Sequence, residues 1–125
     1  MNINQIINKA IEIVDTDWDR ELAELHEYAY RKNDPTYSEW GYPARRAEIN
    51  RAYNELRDNL DAAAVIMRRW AALPQRKRTA GRLRRMLRRS LPYGAHILYY
   101  IPSGGAQLSA ADALTAAGMP RYMLP

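Results

Sequence analysis

"INRAYNELRDNLDAAAVIMRRW", residues 49–70, decides the fold. Ile49, Tyr53, Leu56, Leu60, Ala63, Met67 and Trp70 follow one another at steps of four and three, the spacing that lines one face of a helix. The other side is polar, with Arg45, Arg46, Asn50, Arg51, Asn54, Arg57, Asp58 and Asp61. Pro43 suits the first turn of such a helix, and Pro74 lies just beyond its end. An apolar seam this long needs a partner. That partner is either a second copy in a coiled coil or another helix of the same chain. Because a 12-residue loop, "KNDPTYSEWGYP" (32–43), stands directly before it, the favoured reading is an antiparallel hairpin with the preceding helix. Monomer and homodimer both stay open.

The preceding segment carries a matching stripe. Ile3, Ile7, Ala10 and Val14 share one helical face, and Trp18, Leu22, Leu25 and Ala29 continue it. Thr16 and Asp19 form a capping-box pattern that would start a second helix, yet the step from Val14 to Trp18 is also four. Residues 3–31 are therefore either one helix or two. In the loop that follows, Tyr37, Trp40 and Tyr42 either cap the helical core or form a recognition surface.

Beyond Pro74, Thr79 is an N-cap candidate for a short helix over 80–89, which "SLPYG" (90–94) ends. "AHILYYI" (95–101) is rich in β-branched and aromatic residues. With the following "PSGG" and "AQL" it predicts a strand and a β-hairpin. Ser109 and Asp112 form a second capping-box pattern before a small helix, which Gly118 and Pro120 stop.

The charge is unevenly divided. The net +5 splits into −5 over residues 1–61, which hold 13 of the 14 acids, and +10 over residues 62–125, where Asp112 is the only acid. "RKRTAGRLRRMLRRS" (76–90) carries eight basic side chains: Arg76, Lys77, Arg78, Arg82, Arg84, Arg85, Arg88 and Arg89. On a helix, Leu83, Met86 and Leu87 face inward, Arg82, Arg85 and Arg89 line one flank with Arg78 a turn earlier, and Arg84 and Arg88 line the other. Guanidinium forks in rows suit phosphate oxygens. Tyr93, Tyr99 and Tyr100 follow closely, and tyrosine rings stack on unpaired bases. Competing readings pair these arginines with the acids of the first helix, or dock them on an acidic protein surface.

Several chemistries are set aside. No cysteine is present, so disulfides and thiol chemistry are excluded. The N-terminus has no signal-peptide pattern and the longest apolar run, "AAAVIM" (62–67), is far too short to span a bilayer, so the expectation is a cytoplasmic protein with no membrane partner. His26 has Leu22, Ala23, Ala29 and Tyr30 as its helical neighbours, and His96 opens the expected strand among apolar residues. Neither suggests a metal site. The serines lack a nucleophile motif and the glycines a phosphate loop. Neither a metal nor a cofactor is expected. A helix-turn-helix at 108–124 is rejected because Leu114 stands where a small residue is needed and too few residues follow.

"RRSLPYGAHILYYIPSGG" (88–105) resembles the central strand and turn of RelE/ParE-type toxins. That resemblance implies a basic, tyrosine-bearing sheet and, in the ribonuclease members, RNA handling. It covers a small part of the chain, the long helical first half departs from the family, and no catalytic residue carries across.

The sequence thus predicts a single, mostly α domain over residues 1–125 with a minor β part. It consists of a long antiparallel helical hairpin (3–31 and 43–73), a short Arg-rich helix, one β-hairpin and a small C-terminal helix. The function it favours is a non-enzymatic binding protein whose Arg face meets a polyanion, either nucleic acid or a nucleoprotein complex. The alternative is a phage-type inhibitor or adaptor docking on an acidic surface of a larger assembly.

Overall fold

The computed structural model describes residues 2–32 and 41–125. Helix makes up 76% of the described residues, in five α-helices, and no strand occurs among them. Tyr37 and Trp40 lie outside the described residues, and with them the reading of the aromatic loop.

The N-terminal stripe forms one helix, α1 (Ile3–Lys32), without a break at Thr16. The acids around that point are engaged across the helix pair instead of capping a new start. Arg57 Nη1 donates to Asp15 Oδ1 at 2.6 Å, and the Tyr53 hydroxyl donates to Asp17 Oδ2 at 2.5 Å. Ile3, Ile7, Ala10, Val14 and Leu25 are buried, with Trp18 and Leu22 partly so.

Helix α2 (Tyr42–Ala71) has Pro43 in its first turn, and every seam residue from Ile49 to Trp70 is buried. The pairing with α1 is antiparallel. Trp18 Nε1 donates to Asn50 Oδ1 at 2.9 Å and its ring stacks on Tyr53 at 5.9 Å, while Arg68 near the other end reaches Asn4 at 3.3 Å. The heptad stripe is therefore consumed inside one chain, and no bare seam remains for a coiled-coil partner.

A 3-10 turn (Gln75–Lys77) leads to α3 (Ala80–Ser90). Thr79 caps α3 by accepting from Arg82 N at 3.2 Å, and its carbonyl accepts from Trp70 Nε1 at 3.0 Å, which ties the connector to α2. Leu83 and Leu87 are fully buried. At about 1.5–3 kcal/mol each, their burial holds α3 against the hairpin.

The expected β-hairpin is absent. Residues 95–101 instead hold a single helical turn, α4 (His96–Tyr99), in which Tyr100 N donates to His96 O at 2.9 Å. A strand needs a neighbour for its ladder, and "AQL" does not form one. The glycine turn serves another purpose, because it presses on α2. A side chain at Gly105 (φ +132°) would come within 2.9 Å of Ile49 Cγ1, and Arg45 Nη1 holds the carbonyl of Gly104 at 3.1 Å. The stretch that resembles the RelE/ParE toxins is thus helix and turns, and the sheet that the resemblance implies is missing among the described residues.

Helix α5 (Ala110–Ala116) starts at the Ser109–Asp112 capping box, both arms of which form, and it packs on α1 and α4. Gly118 (φ +109°) ends it, and a final 3-10 turn (Arg121–Met123) packs on α3.

Candidate functional site

Anchored by Leu83 and Leu87, α3 turns its opposite side to solvent. Arg85, Arg88 and Arg89 are exposed, as are Arg76, Lys77 and Arg78 on the connector. Arg82 and Arg84 are half-buried on the two flanks, and Arg84 donates to the backbone carbonyl of Tyr122. Arg88 and Arg89 occupy the last turn, where the helix dipole favours cations.

None of these eight basic residues forms an ion pair among the described residues. Four acids of α1, Asp15, Asp17, Glu21 and Glu24, are used elsewhere. Asp17, Glu21 and Glu24 surround Arg20, the last two at 3.9 and 4.0 Å. Asp15 and Asp61 meet Arg57, Glu48 meets Arg45, and Glu12 meets Lys9. Internal neutralisation of the Arg rows is therefore not how this fold handles its charge. The crowding of carboxylates leaves a mark at Glu21. Burial first, then Glu24 and Asp17, raise its pKa above the ordinary value despite Arg20.

The tyrosines divide into two places. Tyr42 is half-buried on the first turn of α2 and meets His26 edge-on at 6.2 Å. Tyr93, Tyr99 and Tyr100 gather with His96, Ile97, Glu55 and Asn59 around an open groove of about 490 Å³. Tyr93 is 89% exposed and has φ +61°, a left-handed backbone that a bulky side chain seldom adopts. Turns at Leu91–Ala95 put this groove directly after the C-terminal end of α3, with Gly94 beside the Arg88 carbonyl. His96 is exposed on the groove and not enclosed by the apolar neighbours expected of a strand.

Two groove residues escaped the sequence reading. Glu55 looks like any exposed helix carboxylate, and it makes no ion pair or hydrogen bond among the described residues. Asn59 is 6% exposed and its Nδ2 has no hydrogen-bond partner among the described residues. One clue was available in the sequence. Asn59 stands three residues after Leu56 and four before Ala63, so a polar residue edges the apolar seam.

Among the described residues no cluster of three or more His, Cys, Asp or Glu is arranged to hold a metal, and no helix is long and apolar enough to cross a membrane. Searches with this chain found no matching family model, curated protein or solved structure.

Proposed function

We propose that the protein is a non-enzymatic binding module whose Arg76–Arg89 face engages a polyanion, a nucleic acid or a nucleoprotein complex. The observation that carries this reading is a set of eight basic side chains without a carboxylate partner among the described residues, five on α3, which Leu83 and Leu87 fix from behind, and three on the connector that leads into it. Unpaired guanidiniums a turn apart are costly to crowd together, and phosphates relieve that repulsion while taking two hydrogen bonds per fork.

The test is binding of fluorescent single- and double-stranded DNA and RNA at 50 and 200 mM salt. With about five duplex phosphates neutralised, affinity falls roughly 500-fold between those concentrations. The variant Arg85→Glu/Arg88→Glu/Arg89→Glu, confined to exposed positions, abolishes binding while leaving the helical signal intact. Absence of binding at 50 mM salt overturns the reading.

A second reading keeps the same face but gives it an acidic protein surface, as a phage-type inhibitor or adaptor would use. It is favoured by Tyr122, which is 68% exposed beside Arg84, and by Tyr93, because aromatic and Arg side chains together anchor protein interfaces. Under that reading nucleic acids fail to bind, and the charge-reversed triple variant loses a protein partner in pull-down.

A further inference from the structure

We propose that the groove beside α3 is a pocket for one unpaired guanine base of a single-stranded nucleic acid. This inference rests on the polyanion reading for the strand, whose phosphates lie along the Arg85–Arg89 end of the helix, but it makes its own claim about the base.

The groove carries two kinds of group. Tyr93, Tyr99 and Tyr100 are 89, 42 and 47% exposed, which offers π-faces to a planar ring. Base–tyrosine stacking is strong and indifferent to base identity, so on its own it would give a non-selective platform. Selectivity comes from α2. Glu55 and Asn59 are one helical turn apart and line the same groove. Among the described residues Asn59 Nδ2 is a buried donor lacking an acceptor, and Glu55 is an exposed carboxylate lacking a donor.

A ligand edge that satisfies both presents an acceptor beside donors. Guanine does so most fully: N1–H and N2–H2 offer two adjacent donors to the two carboxylate oxygens, and O6 next to them accepts from an amide. Adenine and cytosine offer a carboxylate only one exocyclic amine along that edge, and uracil or thymine only a ring N–H. Leaving a buried donor unpaired is unfavourable in the free protein, and a ligand that supplies the missing acceptor removes that cost.

The exposure of Tyr93 adds to the stacking surface. A tyrosine at φ +61° is strained relative to glycine, and the strain projects the ring outward where no hydrogen bond among the described residues holds it. The left-handed backbone serves the Leu91–Gly94 turn, which Gly94 N closes on the Leu91 carbonyl at 3.1 Å, and that turn leaves the Tyr93 ring exposed for a ligand to stack on.

The experiment uses the full chain and four fluorescent RNA 12-mers: all-adenine, and the same strand with one central guanine, inosine or cytosine. Guanine is expected to bind at least about fivefold tighter than adenine or cytosine, the size of one good bidentate contact, with inosine falling between because it lacks N2–H2. Glu55→Gln removes the guanine preference while the salt dependence stays as in the parent. Tyr93→Gly weakens all four strands and raises Tm, because glycine relieves the left-handed backbone, so lost binding cannot be ascribed to lost folding. Guanosine monophosphate, read by quenching of tyrosine fluorescence, tests the groove without a strand.

The outcomes separate the two claims. Salt-sensitive binding of all strands with no base preference and no effect of Glu55→Gln overturns the guanine pocket and leaves the polyanion reading standing. No strand binding at 50 mM salt, together with guanosine monophosphate quenching that Glu55→Gln abolishes, overturns the polyanion reading and the single-stranded occupant with it, and reassigns the groove to a free guanine nucleotide. Absence of both overturns both.

Discussion

Replacing Tyr53 by Phe tests how the two long helices are locked. Tyr53 is fully buried on α2, its hydroxyl donates to Asp17 Oδ2 at 2.5 Å, and that hydroxyl oxygen lies 3.4 Å from the carbonyl oxygen of Gly105. One group thus links α2, α1 and the glycine turn. Phenylalanine keeps the ring and its stacking on Trp18, so the variant removes the hydroxyl alone. A hydrogen bond to a charged acceptor contributes about 1.5–3 kcal/mol, and Asp17 keeps Arg20 as a second partner, so the expected loss is about 2 kcal/mol. For a chain of this size that is a fall in Tm of roughly 8 °C. The pH dependence makes the test sharper. Burial, then the hydrogen bond and charge of Asp17, push the Tyr53 pKa above its ordinary value of 10.0. A group whose folded-state pKa is raised stabilises fully below the unfolded value and loses that contribution as pH climbs toward the folded one. Above pH 10 the unfolded chain ionises this phenol and the folded one does not. The parent should therefore lose about 1.4 kcal/mol of its advantage over Tyr53→Phe between pH 8 and pH 11. Urea unfolding of both proteins at the two pH values, followed by circular dichroism, measures it. A difference below about 0.5 kcal/mol at pH 8, well under the expected hydrogen-bond contribution, or a gap that does not shrink by pH 11, refutes the claim that this phenol is a buried donor to Asp17.

Two further changes probe neighbouring features. Glu21→Gln should raise Tm at pH 7, since burial and the neighbouring carboxylates raise the Glu21 pKa and so disfavour its charged form in the fold. The gain should vanish near pH 4, where the parent carboxyl is itself protonated, and a Tm that falls at pH 7 would count against the crowding described around Arg20. Gly105→Ala should cost about 2–4 kcal/mol, from its φ of +132° together with the 2.9 Å approach to Ile49 Cγ1, a core atom with nowhere to go. Gly118→Ala is its control, because it shares the positive φ but has nothing within 4 Å of the added carbon, and thermal melts should rank it as the milder change.

The parts of the fold that were legible in the sequence are those set by local rules. The seam from Ile49 to Trp70 announces its helix because seven residues agree on one period, and the caps at Thr79 and Ser109 form as their side-chain chemistry requires. The Thr16–Asp19 pattern left one helix or two open, and contacts made by the acids beside it settle the choice. Once Asp15 and Asp17 are engaged by Arg57 and Tyr53 from 42 and 36 residues away, continuing the helix is the lower-energy course. The "AHILYYI" strand failed for the complementary reason. Its residues fit a pleated, half-buried surface, but strand preference is realised only against a second strand, and here Leu98 alone is buried in the core.

The same distinction runs through the candidate site. A count of charges shows that the second half of the chain is basic, yet it says nothing about whether its arginines are satisfied. That depends on where the acids of α1 point: Asp17, Glu21 and Glu24 meet Arg20 within α1, and Asp15 meets Arg57 across the antiparallel pair, rather than α3. The groove is less legible still, because it joins Glu55 and Asn59 of α2 to tyrosines some forty residues later, across a segment whose local pattern suggests a strand. Had "AHILYYI" been a strand, its alternation would have sent Tyr99 and Tyr100 to opposite faces. As a helical turn it brings both to one groove, next to the amide that lacks a partner. The loss of the strand is therefore what creates the aromatic site, and the failed prediction and the proposed pocket have the same physical cause.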